Sequence, residues 1–184
     1  MLSPCQFYHS LIYKSWALVT VIYIFIQERL IHLDPLTGVW TRKSFMFYIN
    51  RRIKKINDEP FGGIYFDIDQ LKLINDQYGH DEGDKAINGV IDAILKVLSP
   101  HDIIARLGGD EFIIVTNTTS LLDLDKIINS IHKEIQAMNI STDKSYQISV
   151  SFGYGLFSEN HPSIEAFLRD VDLKMYEDKK KIKE

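Results

Sequence analysis

The sequence has few of the residues that cross-link or staple a small fold. It contains a single cysteine, Cys5, which excludes an internal disulfide framework and fits a reducing compartment. Its six histidines show no paired spacing of the kind that binds zinc, so no structural zinc site is expected. Low-complexity tracts and internal repeats are also lacking. The fold must therefore rest on a hydrophobic core, and 45% apolar residues in a chain of 184 can supply one.

Positive charge is not in excess either. The formal net charge is -4 at pH 7, so the chain has no global basic field, and nucleic acid is not an expected partner. The length of 184 residues suits one domain with a short appendage.

No uninterrupted apolar run reaches the about 20 residues that a membrane-spanning helix needs. Residues 16–26 are apolar on every helical face, so such a helix needs lipid or protein around it. Extending the run to 7–26 reaches the length but includes His9 and Lys14. A membrane anchor is preferred over a dimerising helix, and a signal peptide is disfavoured because no small-residue cleavage site follows. Basic residues follow the run, which predicts a cytoplasmic domain that the helix anchors to the membrane.

A turn cluster at Asp34–Gly38 separates this N-terminal apolar helix (1–33) from a globular domain (34–184). Side-chain periodicity in the domain predicts the order helix, strand, helix, hairpin, helix, strand, helix. The stretch 70–84 reads as polar and irregular. The predicted elements are a helix at 41–56, a strand at 63–69, helices at 87–98 and 124–138, a strand at 146–152 that Gly153 and Gly155 end, and a helix at 163–183. This order predicts an α/β (α+β) fold with helices packed on one sheet.

The segment 106–112 joins two apolar runs through the pair Gly108-Gly109. Such a pair predicts a β-hairpin, because glycine adopts positive φ without steric cost. Two carboxylates, Asp110 and Glu111, follow the glycines. Adjacent acids beside residues without side chains can hold a cation and let a phosphate approach the backbone. An ordinary polar turn explains this stretch equally well when it is considered alone.

A second acidic element precedes the hairpin. Asp67 and Asp69 are two residues apart on a predicted strand, so both side chains should project to one face while Ile68 points to the other. A strand-end carboxylate opposite a hairpin carboxylate suits Mg²⁺. Residues 67–84 contain six acids and one base, Lys72, so a nucleotide bound there would bind as its metal complex. A solvated acidic loop is the simpler interpretation of Asp76, Asp81 and Glu82.

These features belong to an ordered set of motifs that resembles the GGDEF domains of diguanylate cyclases from about Asp34 onward. The motifs, as they stand here, are Asp34-Pro35-Leu36-Thr37-Gly38, Asp67-Ile68-Asp69-Gln70-Leu71-Lys72, Asn75-Asp76, Gly79-His80 with Gly83-Asp84, Gly108 to Phe112, Ser149-Val150-Ser151-Phe152-Gly153, and Tyr176 with Lys179. The resemblance implies a palm-like domain related to nucleotide cyclases, with a mostly antiparallel central sheet. It also implies a bacterial second-messenger enzyme, a nucleotidyltransferase.

The resemblance implies that two GTP are condensed into cyclic di-GMP and pyrophosphate in a homodimer, each protomer holding one GTP. Two Mg²⁺ (or Mn²⁺) would be held by Asp67, Asp110 and the Ile68 carbonyl. Catalytic roles fall on Asp110, Glu111 and Lys72. The residues implied in substrate binding are Asn75, His80, Asp84, Gly108, Gly109, Lys179 and Lys183. A catalytically silent module that binds GTP or a protein partner is the alternative.

The sequence departs from the family pattern at several positions. Ser99 stands where the inhibitory product site has arginine, with Asp102 as its acidic partner, so product inhibition is expected to be weak or absent. Lys183 stands where a phosphate-binding arginine is usual, and Gln70 where phenylalanine is usual. Asp84 is present, which favours GTP over mixed substrates.

Overall fold

The computed structural model describes residues 13–23, 32–55, 60–141, 144–158 and 161–183, apart from the side chains of 55 and 181–183. The chain forms two compact units, Met1–His32 and Leu33–Glu184. In the first unit, residues 13–23 are helical and their side chains are exposed. None of the helices in the described part of the chain is long and apolar enough to cross a bilayer. The rest of the predicted apolar segment, 7–12 and 24–26, lies outside the described residues.

The second unit is built on one five-stranded sheet in the order β1-β3-β4-β2-β5. Its strand β1 pairs parallel with β3, whereas all other neighbours pair antiparallel. The expected mostly antiparallel sheet is therefore confirmed. The strands are β1 (Trp40–Thr41), β2 (Phe61–Ile68), β3 (Ile103–Arg106), β4 (Glu111–Thr116) and β5 (Val150–Phe157).

Helices cover both faces of the sheet. Phe66 of β2 belongs to a core cluster with Ile94 and Ile131, whereas its neighbour Tyr65 packs in a second cluster with Ile49 and Phe167. Strand side chains alternate between the two faces, and helices cover both. Strand β2 is therefore buried along its whole length, and Asp67 is its one charged residue. The helices are α1 (Arg42–Lys55), α2 (Leu71–Tyr78), α3 (His80–Leu95), α4 (Leu121–Ser141) and α5 (Ile164–Lys183).

The prediction of an irregular stretch at 70–84 was wrong. The chain forms α2 there and starts α3 at His80. Helix α2 buries only Leu71 and Ile74, so its apolar stripe is too short to stand out among the acids. It begins after Gln70, which has the left-handed conformation with φ 55° and ψ 23°.

The prediction that Gly153 and Gly155 end the last strand was also wrong, since β5 continues through both to Phe157. A Cβ on Gly153 would lie 1.9 Å from the Val171 carbonyl oxygen and 2.2 Å from the Met175 nitrogen. Glycine at this position lets the backbone of α5 lie directly on the strand. The strand also begins later than expected. Ile148 precedes it and exchanges two hydrogen bonds with the Asn139 side chain, at 3.0 and 2.8 Å, instead of with a strand.

Candidate active site

The hairpin between β3 and β4 was predicted correctly, but not for the reason given. The amides of Leu107 and Gly108 donate to the Glu111 carbonyl at 2.8 and 3.2 Å. Among the described glycines, only Gly38 and Gly79 have positive φ. Gly108 instead provides space, because a Cβ on it would lie 2.6 Å from Glu111 Oε2, whereas a Cβ on Gly109 would meet open space. The absent side chains therefore leave the tip accessible.

Arg106 fixes the conformation of this tip. Its guanidinium donates to the Gly108 carbonyl at 3.2 Å and to the Gly109 carbonyl at 3.1 and 2.7 Å. A further nitrogen forms an ion pair with Asp34 at 3.0 Å. Asp34 also accepts hydrogen bonds from the amide and hydroxyl of Thr37, at 3.0 and 2.7 Å. The turn before β1 is thus joined to the hairpin.

The charge of Asp34 is stabilised by these partners. Burial alone would raise the pKa of Asp34, but the hydrogen bonds from Thr37 and the Arg106 guanidinium outweigh it and hold that pKa below its ordinary value. Sequence reasoning assigned no role to Arg106 or to this ion pair. The available signal was an arginine directly before the glycine turn.

Three polar side chains share one face of the sheet at its end. Asp67 lies opposite Glu111 on β4 and opposite Ser151 on β5, so the three project to the same side. Asp110 directly precedes Glu111, and its carbonyl accepts a hydrogen bond from the Ile68 amide at 3.2 Å. The strand and the hairpin therefore bring together the predicted metal-binding carboxylates.

Asp67 is buried, with 7% of its surface exposed. Burial raises the pKa of Asp67; an ion pair with Lys179 opposes this rise, and the negative charge of Asp110 adds to it. Lys179 comes from α5, and its ammonium contacts Asp67 Oδ1 directly. Although burial alone would lower it, the pKa of Lys179 is raised by Asp67, Asp69 and Asp110. The Lys179 ammonium therefore contacts one carboxylate and lies in the electrostatic field of two more.

Asp69 supports this group from the turn after β2. It is 6% exposed and accepts hydrogen bonds from the hydroxyls of Ser149 at 2.9 Å and Ser151 at 2.7 Å. Since Ser151 is also the cross-strand neighbour of Asp67, both aspartates lie on the same side, as the spacing predicted. The two serines satisfy the buried carboxylate and fix its position.

The donor set fits a hard divalent cation. No group of three or more His, Cys, Asp or Glu side chains in the described residues is arranged as a complete metal site. The groups present are the carboxylates of Asp67 and Asp110 with the neighbouring Ile68 backbone, all oxygen donors. Mg²⁺ commonly binds one or two carboxylates and takes its remaining ligands from phosphates and water.

Of the remaining predicted substrate residues, Asn75 lies on α2, and His80 and Asp84 lie on α3. Gly79, with φ 88°, joins the two helices, and its amide donates to the Asn75 carbonyl at 2.9 Å. A Cβ on Gly83 would lie 1.8 Å from Asn75 Oδ1, so Gly83 makes room for the Asn75 amide beside Asp84. Lys72 and His80 are exposed on the same two helices. The side chain of Lys183, at the end of α5, lies outside the described residues.

Ser99 and Asp102 form a turn of their own. The Ser99 amide donates to the Asp102 carboxylate at 2.8 Å, and the Asp102 amide donates to the Ser99 carbonyl at 2.9 Å. Burial raises the pKa of Asp102, and the hydrogen bond from the Ser99 amide opposes this rise. The turn borders a cleft of about 310 Å³ beside Trp40 and Leu95.

The chain belongs to the GGDEF domain family. The family model described as "Diguanylate cyclase, GGDEF domain" matches residues 31–184. The chain is 32% identical over 149 residues to diguanylate cyclase TpbB of Pseudomonas aeruginosa, covering 79% of this chain and 34% of that protein. It is also 32% identical over 154 residues to cyclic di-GMP phosphodiesterase PdeR of Escherichia coli, covering 82% of this chain and 23% of PdeR. It thus spans about a quarter to a third of these relatives.

A solved structure of the isolated GGDEF domain of TpbB from Pseudomonas aeruginosa has the same fold. It superposes with a TM-score of 0.72 at 31% identity, covering 82% of this chain and 90% of that one.

Proposed function

We propose that this domain is a diguanylate cyclase that condenses two GTP into cyclic di-GMP and pyrophosphate. The observation that carries the proposal is the convergence of Asp67, Asp110 and Lys179 beside the accessible hairpin tip. Charge of both signs is arranged there for a metal-bound triphosphate. The name of TpbB, a diguanylate cyclase, supports the same activity.

In this proposal Asp67, Asp110 and the Ile68 carbonyl hold Mg²⁺ or Mn²⁺, two ions per half-site. When bound, such ions acidify an attacking hydroxyl and neutralise charge on the phosphate under attack. Gly108 and Gly109 admit the ribose and phosphates to the hairpin. Glu111, opposite Asp67 on the same sheet face, would take up the proton of the 3′-hydroxyl.

The basic residues bind the phosphates. Lys179 is already held at the carboxylates, so it exchanges Asp67 for a phosphate oxygen when substrate enters. Lys72 and Lys183 complete the phosphate contacts. Asn75 and Asp84 read the guanine edge by hydrogen bonds, and His80 shapes that part of the site.

Condensation needs two such sites face to face. Each domain presents one hairpin and holds one GTP, so the palm-like fold supplies half of the catalytic geometry and a second copy supplies the other half. Because catalysis of this kind is mostly positioning and electrostatics, the dimer is as important as any single acid or base. Segment 7–26 stays a prediction, as a membrane anchor of a cytoplasmic domain or as a dimerising helix.

One observation favours a second function. PdeR is named for degradation of cyclic di-GMP, yet part of it is similar to this chain. A GGDEF domain therefore occurs in a protein named for the opposite reaction, and a GTP-binding module without turnover is the second candidate.

Incubation of the purified chain with GTP and Mg²⁺, followed by chromatography of the products, tests the proposal. Cyclic di-GMP is expected at protein concentrations that favour a dimer. The variant Asp110→Asn should lose about 100-fold or more of the activity, since it removes charge at the reacting phosphate. The control Asp123→Asn alters an exposed acid of α4 and should retain activity. GTP binding without product would favour the silent module, and full activity of Asp110→Asn would contradict its metal role.

A further inference from the structure

A polar cluster outside the carboxylate site joins α3 to the loop that precedes β5. Glu82 Oε1 accepts a hydrogen bond from the Tyr146 hydroxyl at 2.9 Å and an ion pair from Lys144 Nζ at 2.7 Å. Lys144 also donates to the Tyr146 hydroxyl at 3.0 Å, which closes a triangle of three groups. The side chains of Glu82 and Lys144 are only 22% and 26% exposed, so solvent screens their attraction incompletely.

A second contact between the same elements lies beside the triangle. The rings of Tyr78 and Tyr146 pack with centroids 5.1 Å apart, and the Ser145 hydroxyl donates to the Tyr78 hydroxyl at 3.0 Å. The contact with Tyr78 reaches the last residue of α2, whereas that with Glu82 reaches the first turn of α3. The loop residues 144–146 therefore hold both helices where they meet.

The junction of α2 and α3 is where the proposed guanine-reading residues lie. Glu82 is followed directly by Gly83, whose Cα lies against the Asn75 amide, and then by Asp84. A displacement of Glu82 would therefore change the separation of Asn75 and Asp84.

The junction has little support of its own. Neither α2 nor α3 has a side-chain hydrogen bond at its N-cap, since those positions are Gln70 and Gly79. Helix α2 is eight residues long, and a helix of that length is marginal without tertiary contacts. Core packing of Leu71 and Ile74 supports α2 from one side, and the loop 144–146 adds contacts at the junction itself.

We propose that Glu82, held by Lys144 and Tyr146, is a positioning residue that sets the α2–α3 junction for recognition of guanine. The proposal rests on the proposed function, since it assumes that Asn75 and Asp84 contact the base. The sequence alone favoured a solvated acidic loop at Glu82, and the proposal gives this residue a positioning role instead.

The test compares binding of GTP and inosine triphosphate, each with Mg²⁺, to the full chain. Inosine triphosphate lacks the 2-amino group of guanine, so its weaker binding measures how well the base edge is read. Lys144→Met and Tyr146→Phe should each weaken GTP binding by about fivefold, which corresponds to one hydrogen bond of about 1 kcal/mol. The preference for GTP over inosine triphosphate should fall by a similar factor of about five. Hydrogen exchange of amides 71–84 should become faster in both variants.

Two further variants separate positioning from general stability. Lys144→Arg keeps the ion pair and should restore the preference for GTP. Lys126→Met breaks the Lys126–Asp123 pair, which has the same 2.7 Å separation but is exposed on α4, and should change neither binding nor exchange at 71–84.

The outcomes distinguish this proposal from the proposed function. A wild-type chain that prefers GTP but makes no product refutes the cyclase and leaves this test valid. An unchanged preference in Lys144→Met and Tyr146→Phe overturns the positioning role, even if amide exchange becomes faster. A wild-type chain with no preference for GTP overturns it as well, because the junction then does not read the base.

Discussion

At the level of single residues, Lys179 is the group on which the charges of the site converge. It neutralises Asp67, whose pKa remains raised because burial outweighs the ion pair. The pKa values of both partners are raised, for different reasons. The ion pair favours the charged form of Lys179, whereas the burial of Asp67 disfavours its charged form. The buried carboxylate lowers the stability of the fold and concentrates negative charge at this end of the sheet, a combination that is common at functional sites.

Lys179→Met should destabilise the domain by about 1–3 kcal/mol at pH 7, because it leaves a buried carboxylate without its partner. Since the folded-state pKa of Asp67 is raised above its ordinary 3.8, the folded state takes up a proton at a higher pH than the unfolded chain. Ionisation of Asp67 thus lowers the free energy of unfolding as pH rises through the folded-state pKa. This loss is larger when Lys179 is absent. The loss of unfolding free energy in Lys179→Met should therefore become smaller as pH falls through the folded-state pKa of Asp67. Urea unfolding at several pH values measures this loss.

The control for this variant is Lys174→Met on the same helix. Lys174 pairs with Asp170 at 2.8 Å, but both side chains are nearly half exposed, so the loss should stay within about 0.5 kcal/mol at all pH values. A cost of Lys179→Met that is the same at acid and neutral pH would indicate lost packing instead of an unpaired charge.

The carboxylates of the site were accessible to sequence reasoning, whereas their partners were not. Asp67 and Asp110 are visible because one ends an apolar strand and the other follows a glycine pair. Local sequence does not show that Lys179 reaches Asp67, since that contact depends on how α5 packs on the sheet. The ion pair of Arg106 with Asp34 is long-range in the same way.

At the level of elements, the turn before β1 and the hairpin between β3 and β4 are joined through Arg106 and Asp34. Asp34→Asn should cost about 1–2 kcal/mol at pH 7, because it removes a charged partner from a largely buried guanidinium. The pKa of Asp34 is lowered in the folded state, so its stabilisation is present above 3.8 and disappears as pH falls through the folded pKa.

Urea unfolding at several pH values checks this prediction. The difference in unfolding free energy between Asp34→Asn and the wild type should be constant above about pH 5 and should narrow progressively below it. Asp123→Asn serves as the exposed control. A difference that already narrows between pH 7 and pH 5 would contradict the assignment of the effect to Asp34.

The contact between β5 and α5 gives a prediction with an internal control. Gly153→Ala should destabilise the domain by about 3 kcal/mol or more, because its Cβ would overlap the helix backbone, which cannot move as a side chain can. Gly155→Ala, two residues along the same strand, should stay within about 1 kcal/mol, since its nearest contacts are side-chain atoms at 3.4 Å or more. Thermal unfolding of both variants decides the point, and equal losses would refute it.

Helices with a long apolar stripe were predictable, whereas the two-residue strand β1 and the eight-residue helix α2 were not. Helices α3, α4 and α5 follow clear stripes of buried residues. Strand β1 has two residues, and its parallel pairing with β3 joins segments far apart in sequence. The two buried residues of helix α2 lie among polar residues that include one acid and one lysine. Gly153 was misinterpreted because glycine marks both strand ends and close packing, and only the position of α5 distinguishes them.

At the level of the whole molecule, the proposed cyclase activity leads to a prediction about product inhibition at the Ser99–Asp102 turn. Because Ser99 has no fork of donors, cyclic di-GMP should not inhibit turnover in the submicromolar range. Ser99→Arg should increase the sensitivity to product by about tenfold, the factor given by 1.4 kcal/mol. Steady-state rates with added cyclic di-GMP measure both. Strong inhibition of the wild type would contradict the expected loss of product binding, and no change in Ser99→Arg would show that an arginine at this turn does not restore it.

The class of fold was predictable from element order, since helices alternating with strands and one hairpin leave few arrangements. The end of the sheet at which the acids meet followed from the hairpin. What the sequence did not contain was the relation between distant elements, such as the loop 144–146 holding the junction of α2 and α3.

The hydrogen bond from the Ile68 amide to the Asp110 carbonyl has a consequence for how the site can change. It ties the backbones of the segments that carry Asp67 and Asp110 to each other, so the positions of the two Cα atoms are set by the strand spacing. Substitutions in the surrounding residues can therefore alter the charge at this end of the sheet while the backbone positions of the two acids stay constant. Single substitutions can therefore change the chemistry of this edge of the sheet without rebuilding its backbone.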